Sequence, residues 1–124
     1  SSLRLHLLRA DLPLLEQVLA TPADSAQPPR LIAPLDPVIY DRRVTDAVWD
    51  YDYRWEVYVP PQRRVRGYYA LPLLHSGRFI GHADVKADRG TRQLQLLSQH
   101  PARSAPAKTA VKSLADFLGL QPAR

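Results

Sequence analysis

The stretch Leu31-Ile32-Ala33-Pro34-Leu35-Asp36-Pro37-Val38-Ile39-Tyr40-Asp41-Arg42-Arg43 constrains the fold more than any other. Each proline fixes its own φ, lacks an N–H and pushes the residue before it toward extended geometry. Ala33 and Asp36 are therefore expected to be extended, and no helix can run through. Val38-Ile39-Tyr40 reads as a short buried strand. Asp41 is the expected N-cap of a helix starting at Arg42, because its carboxylate can accept from the free N–H groups of the first turn. One arginine would then pair with Asp36 or Asp46. Alternatively, Arg42 and Arg43 at the helix start could grip a phosphate, against the nearby acids.

Upstream, Leu3 to Leu8 alternates and reads as a strand, with His6 pointing outward. Asp11 to Leu19 reads as a helix, with Asp11 as cap, Pro13 in the first turn, and Leu14, Leu15, Val18 and Leu19 on one face. Thr21 to Arg30 has no periodicity and reads as a linker, which places a domain boundary there. Downstream, Arg42 to Trp49 is an expected helix with Val44, Ala47 and Val48 inward. Asp50 to Tyr53 is a loop. Arg54 to Val59 reads as a half-buried strand with Trp55, Val57 and Val59 on one face and Arg54, Glu56 and Tyr58 on the other.

The second half reads as a meander. Gln62 to Arg66 is a basic connector, and Gly67 to Leu74 is a strand. His75-Ser76-Gly77-Arg78 is a tight turn. Phe79 to Asp88 is a strand with Phe79, Gly81, Ala83, Val85 and Ala87 inside and Ile80, His82, Asp84, Lys86 and Asp88 outside. Arg89-Gly90 turns the chain into a strand over 92–97. Ser104 opens a final helix that ends at Gly119, with Ala107, Val111, Leu114 and Leu118 on one face. The expected fold class is α+β: a small antiparallel β-meander or barrel-like sheet, flanked by short helices and a C-terminal helix.

Several spaced motifs resemble the C-terminal domain of the winged-helix DNA glycosylases of the AlkZ/YcaQ type, which repair DNA crosslinks. They are Pro34-Leu35-Asp36-Pro37, Tyr40-Asp41-Arg42, Tyr51-Asp52-Tyr53-Arg54, Gly67-Tyr68-Tyr69-Ala70-Leu71-Pro72 and Gly81 to Arg89. Leu35 and Tyr40 stand where that family has Phe and Trp, so an apolar packing role is expected to persist at both. The resemblance marks Pro34, Asp36, Pro37, Tyr40, Asp41, Arg42, Asp84 and Asp88 as motif positions, and Lys86 and Arg89 also match. It implies that residues 1–20 end a winged-helix-type region, 21–30 form a linker and 31–124 form the β-rich domain. The catalytic winged helices would precede Ser1 in the same protein. The implied activity is removal of alkylated bases or unhooking of interstrand crosslinks in double-stranded DNA, without a metal or other cofactor. An N7-alkylated guanine is already a cationic leaving group, so the enzyme must mainly hold a water and stabilise the oxocarbenium-like sugar.

Composition bounds the partners. With 124 residues there is room for one domain. The absence of cysteine rules out a disulfide frame and a thiolate metal site. No apolar run approaches the roughly 20 residues that span a bilayer, so no membrane is expected and a cytoplasmic location is the default. The net charge of +5 is uneven: residues 1–60 carry −3 and residues 61–124 carry +8. A basic second half suits a polyanion, nucleic acid first.

Arg63, Arg64 and Arg66, followed by Tyr68 and Tyr69, are the strongest nucleic-acid signal, since arginines reach phosphates and tyrosines stack on bases. The competing reading is a solvated basic loop beside two core tyrosines. His82, Asp84, Lys86 and Asp88 form a polar stripe. Lys86 among them argues against a metal, and a solvated face with ion pairs is favoured. Gln93 and Gln95 resemble the family's water-positioning Gln-x-Gln, but they fall on a late strand with no acid or base expected beside them. No catalytic residue is assigned. The alternative to a glycosylase module is a non-enzymatic nucleic-acid-binding or protein-interaction domain.

Overall fold

A computed structural model describes residues 3–22 and 27–123. One five-stranded sheet, curled into a half-barrel, organises the chain in the order β1-β2-β3-β4-β5. Its strands are β1 (Arg30–Leu31), β2 (Ala70–His75), β3 (Arg78–Asp88), β4 (Gln93–His100) and β5 (Gln121–Pro122). The helices are α1 (Leu12–Ala20), α2 (Arg42–Trp49) and α3 (Ala105–Leu118).

The expected meander is present as β2-β3-β4, all antiparallel. Ser76 and Gly77, at φ 51° and 74°, make the tight turn between β2 and β3. The last strand, β4, runs to His100, three residues further than the sequence pattern reaches. α3 starts where Ser104 accepts from the Ala107 N–H at 3.1 Å and stops at left-handed Gly119. Its buried stripe is Ala107, Ala110, Val111 and Ala115, a spacing that puts small residues on one face. Small side chains let the helix lie close on the sheet against Leu71, Leu73, Ala83, Val85 and Leu94. Leu73 and Leu94 are almost fully buried, each contributing about 2 kcal/mol. After α3 the chain adds β5 parallel to β4, with Gln121 N–H donating to Arg92 O and Ala123 N–H to Leu94 O.

Several expectations fail for identifiable reasons. Residues 3–8 form no strand, because no described strand lies beside them to pair. Asp11 makes no side-chain cap, because a 3-10 turn over Arg9–Asp11 leaves it already helical, whereas a capping residue must be extended. The linker expected over 21–30 is shortened by Arg30, which pairs with Leu74, and residues 23–26 of it lie outside the described residues. Val38-Ile39-Tyr40 forms turns, not a strand. Asp36 N–H donates to Ala33 O and Ile39 N–H to Asp36 O, both at 3.0 Å, which coils the segment and buries Ile39. Leu35 and Tyr40 are exposed, so neither packs. Arg54 to Val59 has no partner strand among the described residues and runs irregularly.

Two facial assignments also change. α2 buries Thr45 and leaves Ala47 and Val48 exposed. The Thr45 hydroxyl donates to Asp41 O at 3.1 Å, which removes the cost of burying it. In β3, Ala87 is exposed and Asp84 is buried. The register with β4 shifts between Asp84 and Val85, and the bulge breaks strict alternation.

α1 buries none of its residues, and Leu14, Leu15, Val18 and Leu19 all face solvent. The fold should therefore not depend on it. Deleting residues 1–26 is expected to leave cooperative urea unfolding with an unshifted midpoint; a broadened or lost transition would make α1 part of the core.

Candidate nucleic-acid interface

The basic connector is held by a residue the sequence pattern placed on the wrong face. Glu56 is 4% exposed. Its carboxylate accepts from three successive backbone N–H groups: Val65 at 3.0 Å, Arg66 at 2.8 Å and Gly67 at 3.1 Å. Burial alone would raise its pKa. The N–H groups of Arg66, Val65 and Gly67, with the Arg66 charge, more than offset that and hold the carboxyl below its ordinary value. The available signal was a lone acid among Trp55, Val57 and Val59, seven residues before the first arginine of a basic loop. A buried carboxylate of that kind needs a ring of donors.

Around this clamp the three arginines differ. Arg64 donates through Nε to Val59 O at 2.8 Å and lays its guanidinium 4.8 Å from the centre of the Tyr68 ring. Arg66 donates through Nη2 to Asp52 O at 2.6 Å. Each has donors left over, because a guanidinium carries five N–H groups. Arg63 lies in a 3-10 turn over Pro61–Arg63, and its side chain makes no ion pair with the described residues.

Gly67, which leads from this loop into β2, packs against β3. A Cβ there would collide with the Asp84 carboxylate. The buried Asp84 also accepts from the Tyr69 N–H at 3.2 Å. Tyr68, Tyr69, Asp84, Lys86 and Leu97 line an open groove of about 480 Å³. Here the fold brings together Tyr68, Tyr69 and Lys86, while Arg64 reaches the same place over Tyr68. Arg89 is exposed in the turn after β3 and does not line this groove.

The polar stripe on β3 does not exist as one solvated face. His82 is half-buried, Asp84 is buried, Lys86 is exposed, and Asp88 shapes the turn by accepting from Thr91 N–H at 3.1 Å. Thr91 first, then Gly90 and Lys86, hold the Asp88 carboxyl below its usual range against a small burial effect. Among the described residues no three His, Asp or Glu side chains come close enough to hold a metal, and none of the stripe's acids forms an ion pair.

In the proline-rich stretch, Pro34 is buried and Asp36 accepts from Val38 N–H at 2.9 Å. Asp41 caps α2 through the Arg43 N–H at 3.0 Å. Its ion-pair partner is Arg43 at 2.7 Å, not a partner for Asp36 or Asp46, because the cap geometry already brings the two side chains together. The Arg43 side-chain hydrogen bond is the main reason the Asp41 pKa falls to about 2, with burial opposing it. Arg42 turns inward, donating to Ile39 O at 3.0 Å and stacking 4.4 Å from the Tyr53 ring centre. Tyr53 in turn donates to Ala70 O at 3.2 Å, and burial pushes its pKa up to about 12. Arg42 is thus tied into the fold, while Arg43 pairs with Asp41 at the exposed start of α2.

Gln93 and Gln95 are half-buried and stand across from Asp88 and Lys86, so charged neighbours flank them after all. A second open groove of about 470 Å³, which the sequence did not suggest, is lined by Tyr51, Arg66, His82, Ser98, Gln99 and His100. Its two imidazoles stack at 5.7 Å with 20° between their planes. Among the described residues no helix is long and apolar enough to cross a membrane.

The sequence model of a family described as DNA glycosylase AlkZ-like matches residues 4–119 of the chain. No solved structure matches it.

Proposed function

The chain belongs to the AlkZ-like DNA glycosylase family, and from that premise we propose that it is the DNA-gripping, non-catalytic module of a DNA-repair glycosylase. The observation that carries this reading is the connector held by Glu56, which bears Arg63, Arg64 and Arg66 and lays Arg64 over Tyr68 at the groove lined by Tyr68, Tyr69 and Lys86. The arginines and Lys86 would contact phosphates of damaged double-stranded DNA, with Arg89 extending the contact along the β3–β4 turn. Tyr68 already holds a guanidinium over one face and leaves the rest of a half-exposed ring available for stacking. Excision itself would belong to winged-helix domains of the same protein. Gln93 and Gln95 lie on a strand of this module and are assigned no part in it.

The test pairs binding with chemistry. The purified chain should bind a labelled duplex in fluorescence anisotropy with an affinity that falls as salt rises, and should release no 7-methylguanine from alkylated DNA. Release of the base that Gln93→Ala or Gln95→Ala abolishes would overturn the non-catalytic reading. Absence of salt-dependent binding would overturn the gripping role.

A further inference from the structure

We propose that the groove between Arg66, His82 and His100 is a phosphate-binding site whose grip tightens when its two imidazoles take up protons. Cross-strand register builds it. His82 on β3 is the direct partner of His100 on β4, so both rings leave the sheet on the same side. Arg66 closes the groove from the connector. It spends one N–H on Asp52 O, and its backbone is fixed by Glu56.

The floor is Gly81. A Cβ there would collide with the His100 carbonyl, so no other residue leaves the two strands this close with the groove open above them. The Tyr51 hydroxyl donates to Gly81 O at 3.0 Å, so Tyr51 forms a wall and offers the groove no proton. Gln99 already donates to Ala102 O. The Ser98 hydroxyl sits at the rim, 3.4 Å from Arg66 O.

Among the described residues, no carboxylate lines the groove. Glu56 and Asp84 are near enough to act on His82, and both are engaged with backbone N–H groups: Glu56 with the connector, Asp84 with Tyr69. On β2, the residue opposite His82 is the uncharged Pro72. What remains facing the groove is one permanent cation and two that titrate. An anion is the ligand such a set selects, and a tetrahedral phosphate can accept from a guanidinium and two imidazolium groups at once.

His82 resists protonation. Burial, then the Arg66 charge, then His100 hold the His82 pKa below its ordinary value, against weaker opposing effects of Glu56 and Asp84. A bound phosphate reverses the field at the ring and raises that pKa. Binding and proton uptake are therefore linked, and affinity rises as pH falls through the histidine range, near 6.5. Each unit by which phosphate raises an imidazole pKa corresponds to about a ten-fold gain in affinity at low pH.

The phosphate can be a phosphodiester of duplex DNA, which rests on the DNA-contact reading, or a free phosphate ester. Two measurements separate them. The first follows the histidine ring protons by NMR in the intact chain while dimethyl phosphate, a monoanion throughout, is added from pH 5.5 to 7.5. Adding it should move the His82 and His100 ring signals together and raise the His82 pKa, while leaving the His6 and His75 signals unchanged at each pH. No movement of His82 and His100 overturns the site, whatever DNA does. The second measures duplex affinity at pH 5.5 and 7.5, where wild type should tighten about ten-fold and His82→Gln/His100→Gln should lose most of that change. Arg66→Lys, which keeps the charge but not the fork, should retain the pH dependence at lower affinity. If dimethyl phosphate moves both rings but no duplex binds, the phosphate site stands and the DNA-contact reading falls. If duplex binds without pH dependence and the rings stay still, the reverse holds.

Discussion

Replacing Glu56 with Ala should cost about 3 kcal/mol of folding stability, because three backbone donors lose a charged acceptor in a site that water does not freely reach. Urea unfolding should show the midpoint falling by roughly 1–2 M. Glu56→Gln keeps the volume and one acceptor oxygen but loses the charge, and should lie between the two. The pH dependence follows from the lowered folded pKa. A carboxyl depressed by folding contributes its full stabilisation above its unfolded pKa and loses it as pH falls through the lower folded value. Wild type should therefore lose stability below about pH 4.5, and Glu56→Gln should lose less over the same interval. Equal midpoints for wild type and Glu56→Ala would mean that the connector is held by something else.

The second large effect is on DNA. Changing Arg63, Arg64 and Arg66 together to Ala should weaken duplex binding similarly for every sequence tested. It should also reduce the slope of log K against log salt by about two to three, since each lost phosphate contact no longer releases its counterion. Fluorescence anisotropy over a salt series, with the full-length protein as host, reads both. Arg64 and Arg66 also hold Val59 and Asp52 carbonyls, so the unfolding midpoint of the variant must accompany the binding curve. Arg63→Ala alone removes no such contact and should lower the slope by about one. An unchanged slope in the triple variant would leave the loop a solvated connector. A loss confined to one sequence would point to base readout instead.

The parts of the fold legible in the sequence are those whose signals are local. Ser104 and Gly119 bracket α3, Asp41 starts α2, and Ser76-Gly77 joins two alternating runs. The misread parts depended on partners. Alternation over Arg54 to Val59 describes a strand only if another strand lies beside it; without one, the same residues turn Glu56 inward. β1 and β5 are two residues each and carry no period at all. At the candidate interface, the arginines and tyrosines were visible as a cluster. Glu56 was invisible because its partners are backbone N–H groups, which every sequence has. His100 escaped because only the register with His82 gives it a neighbour.

The connector's two attachments, Glu56 on one side and Asp84 packed against Gly67 on the other, bear on the entropy of an encounter. A loose basic tail must surrender backbone freedom when it settles on a polyanion, at about 1–2 kcal/mol for each residue immobilised. Val65, Arg66 and Gly67 surrender theirs when the chain folds. In the proposed DNA contact, docking onto a duplex would then freeze mainly the outer bonds of the arginine side chains, and the loop would meet its ligand as a preorganised surface.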